Sequence, residues 1–454
     1  MILFEGKLLS NDMQDLVLEQ LWDSCVAAVS NRESIEERVI EACGKVAEKI
    51  RKGVYRQVLE PLLETGVFTN AQLEEAIAFF DKTNLQLKYQ TELGVLQDAL
   101  EKENAERVAG NKTELWKKRL QPLGILFHIA AGNAEGLPFF SVIEGLLAGN
   151  VNILKLPSAD DGISIMLLHE LIKEAPELAP YICVLDVPST DVTVLKKLAD
   201  MADAIVVWGG DSAVNAVRSM ASPNTQIISW GHKLSFAYVS VEAINRWLHG
   251  FDEIGDKQLQ DENKKTIEKQ LCDLAHHICQ TRQLLCSSCQ GVFLDTEDER
   301  LIRAFAEKFL HLLEEVNVDY PKESVGVRGK IGISLYNEEL ESVYTGRSVL
   351  RGKGVSVTIA KDSNLVLSFM FKNCWVKPLP REQIISQLKG KKGYLQTVGL
   401  ICGDIERVEL SEFFVKAGLT HIVRPQNMSQ MLPGGTHDGE YPLRRYTRIV
   451  ELES

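Results

Sequence analysis

Between Gly124 and Ser240 the chain repeats one pattern, a short apolar run followed by a stretch with helical spacing of its apolar residues. The apolar runs are Gly124-Ile-Leu-Phe-His-Ile-Ala130, Val151-Asn-Ile-Leu-Lys-Leu156, Tyr181-Ile-Cys-Val-Leu185, Ala204-Ile-Val-Val-Trp208, Gln226-Ile-Ile-Ser229 and Ser235-Phe-Ala-Tyr-Val-Ser240. Helical spacing fills 137–147, 163–173, 192–201 and 212–220. A strand that is apolar on both faces must be covered on both faces. Alternation with helices therefore specifies a parallel α/β sheet with helices on each side. Ligands of such sheets bind beyond the carboxyl ends of the strands. There the sequence places Ala131-Gly-Asn-Ala-Glu-Gly136, Lys155-Leu-Pro-Ser158, Pro188-Ser-Thr190 and Gly209-Gly-Asp-Ser212. Amides at helix starts can hold phosphate oxygens, and Lys155 adds positive charge. Any one of these turns alone reads equally well as a tight connection; four at predicted strand ends favour a cofactor crevice. The dinucleotide fingerprint Gly-x-Gly-x-x-Gly does not occur there, so a nicotinamide cofactor would bind by another arrangement.

A chain of 454 residues needs more than one core. Residues 12–50 have helical spacing broken at Asn31-Arg-Glu-Ser34, and Thr69-Asn-Ala-Gln72 reads as a capping box. We expect a mostly helical layer over 1–115, associated with a cofactor-binding domain over 116–230. A catalytic α/β domain is expected over 231–420, with helices at 301–313 and 384–388 and strand candidates at 331–336, 355–359 and 364–369. The tail, 421–454, carries a strand at 446–452 and is expected to serve oligomerisation or to return to the cofactor domain. Acidic residues outnumber basic ones, 63 against 50, giving a net charge of -13 that argues against binding nucleic acid. The start lacks the pattern of a secretory leader and no apolar run is long enough to span a membrane, so a cytoplasmic location is expected. Nine cysteines, an odd number in a long chain, read as reduced thiols.

The chemistry is expected in Gln280-Thr-Arg-Gln-Leu-Leu-Cys-Ser-Ser-Cys-Gln-Gly-Val-Phe-Leu-Asp295, between a helical run and an apolar, strand-like one. Three readings compete for Cys286 and Cys289. A redox pair has this spacing, but it needs a following helix N-terminus, and a strand follows instead. A zinc site would recruit Cys272, His276, His277 and Cys279, which lie on or just beyond a predicted helix. In the third reading one thiolate attacks a carbonyl carbon and holds the acyl group as a thioester. Asn133 and the Cys286 backbone amide would then donate to the developing oxyanion. His232 and Glu135 are minor candidates for proton handling. Arg347, Arg351 and Lys353 are candidates for CoA phosphates, although a solvated charge run is the plainer reading.

In order along the chain, Pro122-Leu-Gly124, Gly132-Asn133, Ala148-Gly-Asn150, Lys155-Leu-Pro-Ser158, Gly209-Gly210, Gly231-His-Lys233, Gln283-Leu-Leu-Cys-Ser-Ser288 and Asp438-Gly-Glu-Tyr-Pro-Leu443 resemble the aldehyde dehydrogenase superfamily. Within it the sequence is most similar to the acyl-CoA reductase branch, the LuxC-like fatty acid reductases of bacterial luminescence. The resemblance implies an aldehyde-dehydrogenase-like α/β fold: a parallel-sheet cofactor domain, an α/β catalytic domain and a small oligomerisation element. It implies Cys286 as nucleophile and Asn133 as oxyanion donor. Lys155, Pro157, Ser158, Gly209 and Gly210 become cofactor contacts, with Lys155 on the adenosine ribose or its phosphate. Cys289 stands where the family often has proline. Aldehyde-oxidising members carry a glutamate two residues before the first glycine of Glu-Leu-Gly-Gly-Lys, where this chain has Ser229-Trp-Gly-His-Lys233. Without that carboxylate, hydrolysis of the thioester is disfavoured and a reductive or CoA-linked reaction is favoured.

The resulting expectation is NADPH-dependent reduction of long-chain fatty acyl-CoA to fatty aldehyde and free CoA. Its partners would be fatty acyl-CoA or an acyl-protein thioester, an acyl-protein synthetase by resemblance, and further copies of the chain in a homo-oligomer. The alternatives are an NAD-linked, CoA-acylating aldehyde dehydrogenase for short aldehydes, and a non-catalytic acyl- or metal-binding protein.

Overall fold

The structure is a computed structural model that describes residues 1–56, 70–109, 116–130, 136–158, 160, 162–249, 257–430 and 432–453. The chain forms two compact units, Met1–Gly231 with Leu432–Ser454, and His232–Met431.

The first unit is built on a sheet of seven strands in the order β2-β1-β6-β5-β4-β7-β8. Here β1 is Ile2–Phe4, β2 Lys7–Leu9, β4 Ile125–Ile129, β5 Val151–Lys155, β6 Ile182–Leu185, β7 Ala204–Gly209 and β8 Gln226–Gly231. From β4 to β8 neighbours run parallel, as the alternating sequence requires. The strand order reverses direction at β4 and β7, which makes their carboxyl ends the switch point of the sheet. An N-terminal hairpin, β1 with β2, adds antiparallel to β6 through Leu3 opposite Val184. Its turn uses Glu5 and Gly6, both at positive φ. Helices Gln14–Ser30 and Glu36–Arg51 are separated at the expected break. The capping residue Thr69 lies outside the described residues, and the helix behind it runs Asn70–Ala78. In the tail, β16 (Thr447–Glu453) pairs antiparallel with β3 (Trp116–Pro122) as a separate ribbon.

The second unit repeats the architecture with the order β11-β12-β13-β10-β9-β14-β15. These are Leu234–Val239 (β9), Cys289–Leu294 (β10), Ser348–Arg351 (β11), Ser356–Ile359 (β12), Asn373–Pro378 (β13), Leu395–Ile401 (β14) and His421–Val423 (β15). All but β11 run parallel to their neighbours. Side chains alternate between two cores. Ala237, Val239, Val292 and Leu294 face helices Lys257–Thr281 and Glu299–Asn317. Phe236, Tyr238 and Phe293 face the side covered by Ile384–Leu388 and Asp404–Ala417. Gly291 is required by this packing, because a Cβ there would lie 2.1 Å from the Trp375 ring on the adjoining strand.

Two expected strands are corrected. Residues 331–336 belong to the helix Val325–Thr345, whose start is capped by Ser324 and whose end turns through Gly346 at φ 69. Their apparent alternation does not bury one face: Ile333 and Tyr336 are 66% and 58% exposed, and only Leu335 of the six is buried. Residues 364–369 form no strand; Leu365 is buried but Val366 and Leu367 face outward. The strand lies just beyond, in β13, where Lys377 disguises a buried run. Its ammonium is satisfied by Asp362 at 2.7 Å and the Asn364 carbonyl at 2.8 Å, the pairing that a buried lysine requires.

Candidate active site

Cys286 is an exposed thiol at the second position of a tight turn. Ser288 N–H donates to the Leu285 carbonyl at 3.0 Å, and the Ser288 hydroxyl accepts from Leu285 N–H at 2.9 Å, closing the turn twice. Ser235, fully buried on β9, donates its hydroxyl to the Cys286 carbonyl at 2.7 Å and accepts from Thr397 N–H on β14 at 3.2 Å. Ser287 and Ser429 share a hydroxyl hydrogen bond of 2.8 Å. Below the turn, Gln283 donates to the carbonyls of Cys289 (2.9 Å) and Gln290 (3.3 Å), and the Gln290 amide returns a bond to the Gln283 carbonyl at 3.2 Å. The thiol thus sits on the amino side of β10. The carboxyl side of the same sheet carries a partly buried ion cluster. There Arg381 spans Asp295 and Glu406, and Ser240 donates to Glu406.

Cys289 is a different kind of thiol. It opens β10 within the core, wholly buried, and its sulfur donates to the Gly291 carbonyl at 3.2 Å. Burial pushes its pKa up to about 12, so it is a poor thiolate at neutral pH. The zinc candidates are spent on packing. His277, whose pKa burial pulls down to about 4, accepts from Cys289 N–H at 3.2 Å, and His276 bonds the Tyr320 hydroxyl at 3.0 Å. Among the described residues no three His, Cys, Asp or Glu side chains converge as metal ligands. Arg347 and Arg351 are paired with Glu338 and Glu339, and Lys353 N–H is bound by Glu314. His232 lies against the Tyr394 ring.

In the first unit the candidate cofactor residues occupy carboxyl strand ends. Lys155 ends β5, is 4% exposed and donates to the Ser189 hydroxyl at 3.0 Å. Burial lowers its pKa, and Asp186, at the end of β6, opposes that shift. Pro157 is buried and Ser158 exposed. Gly209 ends β7 opposite Gly231 of β8, and Gly210 caps the helix Asp211–Met220. A side chain at Gly210 would meet nothing within 4 Å, whereas one at Gly209 would press on Ala213 at 3.0 Å. Asp211 places a carboxylate in the first turn of that helix, which competes with a phosphate for its amides. Asn133 and Glu135 lie outside the described residues.

Sequence reasoning missed what holds these turns. Trp208, at the end of β7, stacks on Trp230, with His437 packed edge-on against both. Its indole N–H donates to the Ser141 hydroxyl (3.0 Å), and Ser141 in turn bonds His128 Nδ1 (2.7 Å). His128 Nε2 reaches the Asn152 side-chain oxygen at 3.0 Å. The signal was present: His128 and Asn152 are polar positions inside two largely apolar strands, and buried polar groups need partners. Gly145 makes room for the Asn152 side chain, whose oxygen lies 1.8 Å from where a Cβ would be.

The fold is shared with solved aldehyde dehydrogenase structures. An NAD-dependent benzaldehyde dehydrogenase from Corynebacterium glutamicum superposes with a TM-score of 0.61 at 12% identity, over 99% of this chain and 92% of that one. The glyceraldehyde-3-phosphate dehydrogenase GapN of Methanocaldococcus jannaschii, complexed with NADP, gives 0.63 at 14% identity, over 99% of this chain and 96% of that one. The acyl-CoA reductase (LuxC) family matches residues 38–449, and the chain belongs to that family. Long-chain acyl-protein thioester reductases are similar: 24% identity over 346 residues for the protein of Aliivibrio fischeri and 24% over 350 residues for one of Photobacterium leiognathi. These matches cover 74% and 73% of this chain and 65% and 64% of the relatives, so the chain spans just under two thirds of their length.

Proposed function

We propose that the protein reduces long-chain fatty acyl-CoA to fatty aldehyde with NADPH, releasing CoA, through an acyl thioester on Cys286. The observation that carries this reading is the contrast between the two thiols of one turn: Cys286 exposed on a frame hydrogen-bonded on several sides, Cys289 sealed in the core. The Cys286 thiolate attacks the acyl carbonyl carbon and the CoA thiolate leaves, so one thioester replaces another. The oxyanion formed between these events takes hydrogen bonds from the Asn133 side-chain amide and the Cys286 amide. Ser235 holds the Cys286 carbonyl, limiting reorientation of the turn during attack.

Lys155, Pro157, Ser158, Gly209 and Gly210 are the residues we assign to the dinucleotide. A buried lysine at a strand end and a cap glycine whose Cβ position is open fit a phosphate-bearing ligand, although Asp211 competes with it for the same helix amides. When bound, NADPH supplies the hydride that converts the thioester to aldehyde. Ser229, in place of the superfamily's glutamate, leaves no carboxylate at that position to activate water, so the intermediate survives until it is reduced. The names of the relatives extend the donor class to acyl-protein thioesters.

Mixing the protein with palmitoyl-CoA and NADPH tests the reading. It predicts equal release of CoA, oxidised cofactor and hexadecanal, and none from Cys286→Ala. Aldehyde made at the wild-type rate by Cys286→Ala would overturn it. Preference for NADH and short aldehydes would favour the CoA-acylating dehydrogenase.

A further inference from the structure

Backbone in the left-handed region is rare outside glycine and is kept where surrounding structure forces it. Among the described residues seven non-glycine positions have positive φ, and five of them fall in two segments of the second unit. These are Arg282 (51°) with Gln283 (62°), just before the thiol turn, and Met370 (58°), Phe371 (49°) and Lys372 (72°), just before β13. The segments are tied to each other. Phe371 N–H donates to the Arg282 carbonyl at 2.8 Å. Arg282 lies over the Phe371 ring at 5.3 Å and forks onto Glu323, one arm at 2.9 Å. The same carboxylate is 3.9 Å from the Lys372 ammonium, which donates to the Pro321 carbonyl at 2.7 Å. Gln290 adds a second tie: its side-chain oxygen accepts from Ser368 N–H (3.2 Å) and hydroxyl (2.9 Å), while its amide holds the Gln283 carbonyl. Glu323 and Lys372 are both buried, with side chains 6% and 2% exposed.

We infer that Glu323 is a positioning residue for Cys286, its carboxylate holding Arg282 and Lys372 so that two strained segments brace the thiol turn. The inference rests on the reading of Cys286 as nucleophile. Core packing alone does not ask for five left-handed residues in two touching loops. Their link ends at Arg282, four positions before the thiol, so a change in their backbone is passed to the turn through Gln283 and Leu284. A rigid turn matters because small displacements of an attacking atom are costly to rate.

The test is CoA release in a single turnover with palmitoyl-CoA and no reductant, over a range of acyl-CoA concentrations, alongside thermal melts. Glu323→Gln is expected to slow maximal acylation about tenfold or more while half-saturation changes little, and Glu323→Asp to recover part of the rate. Met370→Gly relieves one strained position; it is expected to leave the melting temperature unchanged or raised while acylation slows. A purely structural role predicts the reverse coupling, with rate following stability. Should Glu323→Gln not fold, Met370→Gly decides alone. Wild-type maximal acylation in a folded Glu323→Gln or in Met370→Gly overturns the positioning role and leaves the nucleophile assignment standing. Failure of the wild-type protein to acquire an acyl group on Cys286 overturns both.

Discussion

The Ser235 hydroxyl joins the thiol turn to two strands, and replacing it with Ser235→Ala should loosen the turn and the sheet together. Two bonds are lost, to the Cys286 carbonyl at 2.7 Å and from Thr397 N–H at 3.2 Å. Thr397 is 1% exposed, so its amide is left without this partner and out of reach of water. Such an orphan costs about 1–3 kcal/mol, and the carbonyl, next to an exposed residue, about 0.5–1.5 kcal/mol. The sum, about 3 kcal/mol, corresponds to a fall of roughly 6–12 °C in the melting of a unit this size. Differential scanning calorimetry would show it in the transition of His232–Met431. Stopped-flow acylation should slow in the same variant, because the Cys286 carbonyl is no longer fixed. A melt within about 2 °C of wild type, with an unchanged acylation rate, would refute the assignment of Ser235 as the anchor.

Cys289→Ala should keep the acylation rate and lose about 1–2 kcal/mol of stability, as truncation of a small core side chain does; a tenfold rate loss in single-turnover acylation would contradict the packing role. Lys155→Met should raise KM for NADPH about tenfold, equivalent to about 1.4 kcal/mol, with kcat little changed; steady-state kinetics at saturating acyl-CoA measures this. His128 is buried neutral, its pKa pulled down from 6.5 to about 4 by desolvation. The unfolded chain therefore binds a proton that the folded one refuses. Stability is fully present above pH 6.5 and is lost as pH falls towards 4, by up to about 3 kcal/mol. The melting temperature of the first unit should fall with pH across that window, and His128→Gln, less stable at pH 7, should show a flatter dependence.

The parallel sheet of the first unit was legible because its strands are apolar on both faces and its helices are spaced regularly between them. The second sheet was harder to read, for two identifiable reasons. In β13 a lysine buried by its ion pair broke the apolar pattern, while residues 331–336, with Ile333 and Tyr336 turned outward, imitated a strand within a long helix. Short strands at sheet edges, such as the β1–β2 hairpin, carry too few residues for periodicity to register. At the site, Cys286 could be singled out because reactive residue types are few. The residues that frame it could not: Ser235, Gln290 and Glu323 are common residue types whose roles depend on long-range contacts, at 51, 78 and 41 positions' separation from their partners. Left-handed backbone at Arg282 and Met370 is likewise invisible, since those residue types do not favour it.

The most direct test of the account is intact-protein mass spectrometry after incubation with palmitoyl-CoA, followed by peptide mapping. The account predicts one palmitoyl adduct per chain, on Cys286, that disappears on adding NADPH as hexadecanal is released. An adduct on Cys289 or elsewhere, or no adduct while turnover proceeds, would contradict it.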